Sequence, residues 1–300
     1  MTTRSRGPGA GFQWLSRGIG AGFRRPKPIL GGAAFLALVS LVPALISFGL
    51  QYKTFVAHTQ PNPATLLWLM PISMLSYLLL MPAYGGYLQV VEAAENGVAA
   101  RARDIFKPYA SGEALRLIGF GLMMMLIYLG AFGVILISVG HGVAGWYMHL
   151  IESRAAHQTM TMTLPAHFGA TVALIILTGL YIFAVYAISL CQIALNHRSV
   201  FGAIGDGVVG ALKNVFPLIV MLLSGILAFI VMIIAMFVVI LVITLIGKLA
   251  GEWLILTLGI AVDVAFILLI LMIQFGTMYH LWHDVCDEDP VPGTAESVAA

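Results

Sequence analysis

Charge is what this sequence has least of. Of its 300 residues only 9% are Asp, Glu, Lys or Arg, against 60% hydrophobic, which excludes an ordinary soluble domain. Cysteine is nearly absent. Cys191 falls in an apolar run and Cys286 near the C-terminal end, so no disulfide framework is indicated. No Asn-x-Ser/Thr sequon occurs, which fits a bacterial protein. The glycines of GAIGDGVVG (202–210) lack a Walker Lys-Ser/Thr, and no Gly-x-Ser-x-Gly elbow or His-Glu-x-x-His is present. An enzymatic activity is therefore not expected, nor a cofactor. No basic run with interleaved aromatics lies outside the segments that flank the apolar runs, so nucleic acid is not an expected partner.

What fills the chain is apolar sequence, with a mean hydropathy of +0.99. Six runs are long enough to cross a bilayer, at about 29–50, 66–90, 115–139, 168–194, 216–247 and 253–281. The expected fold is all-α, a polytopic membrane helix bundle of six transmembrane helices. Pro43, Pro71 and Pro82 fall inside the first two runs and should kink them. The fifth run is longer than a bilayer needs, so it must tilt, break near Gly225 or protrude.

The few charges are informative by position. Residues 1–28 hold six of the fifteen Lys and Arg and no acid. Within 12–23, Phe12, Leu15, Ile19 and Phe23 recur at helical spacing, which suits a short helix in the headgroup layer, although Gly18, Gly20 and Gly22 weaken it. A flexible basic anchor is the alternative, and a secretory signal is not expected, since a full-length apolar run follows without a small-x-small site. Four more basic residues lie in 91–116 and two in 195–215, while each alternate loop has one (Lys53, Arg154, Lys248). By the positive-inside rule both termini should face the cytoplasm of a bacterial inner membrane. Arg17, Arg24, Arg25, Lys27, Arg101, Arg103, Lys107 and Lys213 are the expected contacts to anionic lipid headgroups. The chain then divides into a basic interfacial segment (1–28), a six-helix domain (29–283) and an acidic, disordered tail (284–300).

A faint repeat runs through the basic segments. GIGAGFRRPKPIL (18–30) lies without gaps over GVVGALKNVFPLI (207–219), and AARARDIFKPY (99–109) offers a looser third copy. Each would be a short basic interfacial helix followed by a two-helix hairpin, three hairpins in all; convergence on a basic-then-apolar pattern is the alternative. ENGVAARARDIFKPY and the later GAIGDGVVGALKNVFPL resemble a group of uncharacterised bacterial six-helix inner-membrane proteins. That group is similar in turn to the membrane domain fused to some glycerophosphodiester phosphodiesterases. The resemblance implies a fold and a location but no activity.

Three groups of residues could carry function. Asp263 sits near the middle of the sixth run, and on a helical wheel it shares a face with Gly259, Ile270, Gln274 and Thr277, with Ala261 and Ala265 nearly opposite. Asp263, Gln274 and Thr277 are thus expected to form an inward-facing polar site, as a proton or cation carrier or as hydrogen-bonding glue between helices. In the loop 140–167, His149, His157, Met160, Met162 and His167 mix imidazole with thioether, a donor set suited to Cu(I), though an amphipathic surface helix explains the same stretch. His280, His283, Asp284 and Cys286 cluster at the end of the sixth run, either as metal ligands or as the polar end of a helix. Two functions are compatible with this inventory. One is a non-enzymatic accessory or assembly protein that binds lipid, another membrane protein or a second copy of itself. The other is a small permease or channel for an ion, a proton-coupled solute or a lipid, working through Asp263.

Overall fold

A computed structural model describes residues 3–56, 63–155 and 163–286. It is all helical among these residues, and six of its helices are long and apolar enough to cross a membrane: 26–52, 71–95, 114–138, 168–194, 215–248 and 253–286. A multi-pass membrane protein follows from their length and composition. The elements in order are α1 (Ala10–Arg24), α2 (Pro26–Val56), α3 (Pro63–Glu95), a 3-10 helix (Ala102–Phe106) leading into α4 (Lys107–Ala110), and α5 (Ala114–Ser138). Then come α6 (His141–Ala155), α7 (Phe168–Ala194), α8 (Val200–Lys213), α9 (Val215–Ala250) and α10 (Glu252–Cys286). Pro43, Pro71 and Pro82 lie within α2 and α3, which continue through them, and α9 runs unbroken past Gly225.

The six long helices form three hairpins related by a cyclic pattern of contacts. The second helices, α3, α7 and α10, touch one another along the axis. Each also packs on the first helix of the next hairpin: α3 on α5, α7 on α9, and α10 on α2. The short helices obey the same rule. α1 lies across α9 and α10, the 3-10 helix across α2 and α3, and α8 across α5 and α7. Each short element therefore precedes one hairpin and clamps the hairpin before it in the cycle.

Glycine makes these clamps close. A Cβ at Gly18 would stand 2.5 Å from Thr277 Oγ1 and 2.6 Å from its backbone nitrogen. One at Gly207 would fall on the Ser189 hydroxyl and lie 2.7 Å from the Val185 carbonyl oxygen, and one at Gly86 would fall on the Ile105 carbonyl oxygen. In α1 the buried face is Trp14, Leu15, Gly18, Ala21 and Gly22, whereas Phe12 and Phe23 are exposed. The glycines that weaken α1 by propensity are thus what let it seat on α10.

Burial is concentrated in one half of the bundle. The fully buried side chains include Trp14, Leu36, Tyr87, Phe120, Leu190 and Leu218, at the ends of the spans nearest the short helices. We call this the basic end. Both ends of the described chain meet there, the Arg4 N–H donating to the Val285 carbonyl at 2.9 Å. Towards the far end the hairpins are mostly exposed, and their surfaces are Leu, Ile, Val and Phe. That distribution suits lipid rather than water.

The C-terminal boundary differs from expectation. α10 continues to Cys286 because Leu281, Trp282, Val285 and Cys286 are all buried. Asp284 therefore belongs to the bundle and not to a tail. It accepts from Trp14 Nε1 at 2.8 Å and pairs with Arg17 at 3.4 Å, while its backbone carbonyl accepts from Arg6 Nε at 2.7 Å. The remainder of the expected tail, 287–300, lies outside the described residues.

Candidate functional site

A lateral cleft of about 560 Å³ lies between α7, α9 and α10. α7 contributes Gly179 and Phe183, α9 contributes Met221, Gly225 and Met232, and α10 contributes Ile270, Gln274 and Thr277. Leu15 of α1 reaches its basic end. Ile176, Ile226 and Phe229 on its rim are exposed, so it opens sideways, toward the space that lipid fills. From Met221 to Met232 the cleft follows α9 for about 16 Å at 1.5 Å per residue, close to half of an apolar bilayer core of roughly 30 Å.

The cleft exists because its wall is small where it could be large. A Cβ at Gly225 would meet nothing within 4 Å. A second groove, of about 330 Å³, lies between α3, α5 and α7, the corresponding place one hairpin back in the cycle. Met74, Met81, Met124 and Met125 fill its wall, and the Tyr186 hydroxyl reaches the Met81 sulfur at 3.9 Å. At the third such place, between α10, α2 and α3, Phe275 packs on Tyr84 and Tyr87 with ring centroids 5.8 and 5.0 Å apart.

Of the expected polar site, Gln274 and Thr277 come together on the cleft, toward its basic end. Thr277 is buried, and its Oγ1 makes no hydrogen bond, whereas Gln274 is exposed. Asp263 does not join them. It is exposed, and so are Ala261 and Ala265 on the opposite face. The expectation of an inward-facing carboxyl fails because the bundle converges only at the basic end. Leu256, Ile260, Val264 and Ile267, on either side of Asp263 along α10, are exposed with it.

The eight basic residues divide by partner. Arg17 pairs with Asp284, Arg24 with Glu95 at 3.1 Å and Lys107 with Asp104 at 3.4 Å. Lys213 Nζ donates to the Thr3 carbonyl at 2.8 Å, which ties the N-terminal segment to α8. These four are engaged within the fold before any headgroup arrives. Arg25, Lys27, Arg101 and Arg103 are exposed.

The first part of the histidine-rich loop forms helix α6, with Trp146 edge-on to Phe168 at 6.0 Å. His149 and His167 are exposed, while His157, Met160 and Met162 lie outside the described residues. Among the described residues no group of three or more His, Cys, Asp or Glu is placed to hold a metal ion. At the basic end His280 is buried 3.8 Å from Glu95, beside Arg17, Arg24 and His283 around a small polar cavity. Sequence reasoning missed the cleft itself. Its legible signal was Gly225 within the long apolar α9.

Two carboxylate and phenol groups outside the spans have shifted titration. The Arg101 backbone N–H, aided by Lys107 and opposed by partial burial, holds the Asp104 carboxyl below its ordinary range. Burial pushes Tyr109 up, and its hydroxyl donates to the Leu79 carbonyl at 2.6 Å. Asp104 braces the segment internally, and Tyr109 fastens it to α3.

Comparison with family models, with curated proteins and with solved structures finds no match.

Proposed function

We propose that the protein is a non-enzymatic accessory protein of a bacterial inner membrane that holds a lipid chain in the cleft between α7, α9 and α10. The cleft carries this reading. Its wall is apolar, it opens sideways, and its length along α9 equals about one leaflet. The polar groups Gln274 and Thr277 sit at the end where an acyl chain meets its ester linkage, and the exposed Gln274 amide has donors to offer. The basic end faces the cytoplasm by the positive-inside rule, with both termini on that side. The resemblance to bacterial six-helix inner-membrane proteins favours the same location. Another membrane protein or a second copy would meet the far halves of the hairpins, where apolar surface is most exposed.

The permease alternative is less well supported. Asp263 is exposed and does not line the cleft, so the acid and the concavity do not combine into one path.

The test uses Gly225→Leu, whose Cβ would meet nothing within 4 Å and whose side chain would take up space in the cleft. The variant should fold and lose about one co-purifying phospholipid per protein, the cleft being sized for a single chain-bearing ligand. Unchanged lipid content in a folded variant overturns the reading.

A further inference from the structure

We infer that Arg25, Lys27, Arg101 and Arg103 form one site for the phosphate of an anionic phospholipid, apart from the cleft and beneath the first hairpin. This deepens the lipid-binding reading and rests on it, but it stands on separate residues. Other basic residues of the short helices are engaged internally, as described for Arg17, Arg24, Lys107 and Lys213. For these four, no ion pair is found among the described residues. The nearby acids are already in use. Glu95 takes Arg24, and Asp104 takes Lys107 and accepts from the Arg101 backbone N–H at 2.9 Å.

The four cations are gathered by backbone geometry. The Arg25 guanidinium lies against Gly97, 3.3 Å from where a Cβ would stand. Gly97 has φ +77°, so a glycine both makes the turn after α3 and leaves room for that side chain. On the other side Ala102, between Arg101 and Arg103, sits over Gly31, one helical turn beyond Lys27. Ile105 is fully buried and Phe106 meets Phe35 edge-on at 6.0 Å, which fixes the 3-10 helix against α2.

Chain-compatible surface borders the charges. Phe23 of α1 and Leu30 and Phe35 of α2 are exposed, at 73%, 38% and 40%. Guanidinium groups bind a phosphodiester through paired N–H donors, and the lysine adds a point charge. Apolar side chains beside them suit the glycerol and upper acyl region. A nucleic acid would have no use for that apolar border, and a lipid does.

The test titrates delipidated full-length protein in detergent with phosphatidylglycerol or phosphatidylcholine and counts bound lipid by native mass spectrometry. Phosphatidylglycerol should bind about tenfold more tightly, and the preference should weaken with salt. In Arg25→Gln/Lys27→Gln/Arg101→Gln/Arg103→Gln the preference should fall below about twofold, and in Arg101→Gln/Arg103→Gln to about threefold. Lys107→Gln/Arg198→Gln removes two ion-paired cations and should leave it intact. Gly225→Leu should leave it intact as well, so failure of the cleft and failure of this site can be told apart. Full preference in the folded quadruple variant overturns the site. Displacement of the lipid by inorganic phosphate overturns the lipid assignment in favour of a soluble anion.

Discussion

Alanine at Gly86 and alanine at Gly119 should change stability in opposite directions. Both are glycines inside long helices, so propensity alone favours either substitution by about 0.5–1 kcal/mol. Their surroundings differ. A Cβ at Gly119 meets nothing within 4 Å, so the gain is kept. A Cβ at Gly86 lands on the Ile105 carbonyl oxygen, with the Ile105 carbonyl carbon at 2.6 Å and its Cα at 2.9 Å. These are backbone atoms, and no rotamer change can clear them. The 3-10 helix must lift from α3, loosening Phe106 from Phe35 and Ala102 from Gly31. Overpacking of that kind costs roughly 1–3 kcal/mol, more than propensity returns. Thermal unfolding of the purified protein in one detergent should place Gly86→Ala below wild type by several degrees and Gly119→Ala slightly above it. If both variants shift the same way, the clamp between the short helices and the inner triad is not what holds the basic end together.

Other outcomes follow from the same geometry. Asp284→Ala should strand the buried Trp14 indole N–H and free Arg17, costing about 1–3 kcal/mol and shifting Trp emission; an unchanged melt would show α1 is held otherwise. Asp263→Leu should change stability by less than about 0.5 kcal/mol, because the side chain is exposed; a large loss would restore an inward-facing acid. Asp104 has a depressed folded pKa, so its contribution is present above the ordinary carboxylate pKa of about 3.9 and lost as pH falls through the folded value. Rate-corrected hydrogen exchange over 100–110 should therefore be equal at neutral and alkaline pH and rise in acid, and Asp104→Asn should abolish the difference.

The spans were legible because apolar length is a local property. All six agree with the runs to within several residues, and the hairpin repeat glimpsed at Pro28 and Pro217 is the cyclic pattern of contacts seen in the fold. The facing of side chains was less legible, since a helical wheel says which residues share a face and not whether a neighbour is there. Gln274 and Thr277 lie where α7 and α9 approach α10, so their shared face became a shared site. Asp263 is on that face too, but at a level where the hairpins have diverged. Composition misled at Asp284, because an acid-rich stretch reads as tail while Trp282, Val285 and Cys286 bury the turn that carries it. In α1, glycine read as weakness is a contact surface, which only the approach of Thr277 to Gly18 reveals.

The most direct test of a lipid chain in the cleft is photocrosslinking in liposomes with phospholipid that carries a diazirine midway along its acyl chain. Adducts mapped by mass spectrometry should concentrate on Met221, Met232 and Ile270 rather than on the outward Phe237 and Val238, and Gly225→Leu should remove them selectively. Adducts spread evenly over all exposed apolar residues, with no change in Gly225→Leu, would contradict it.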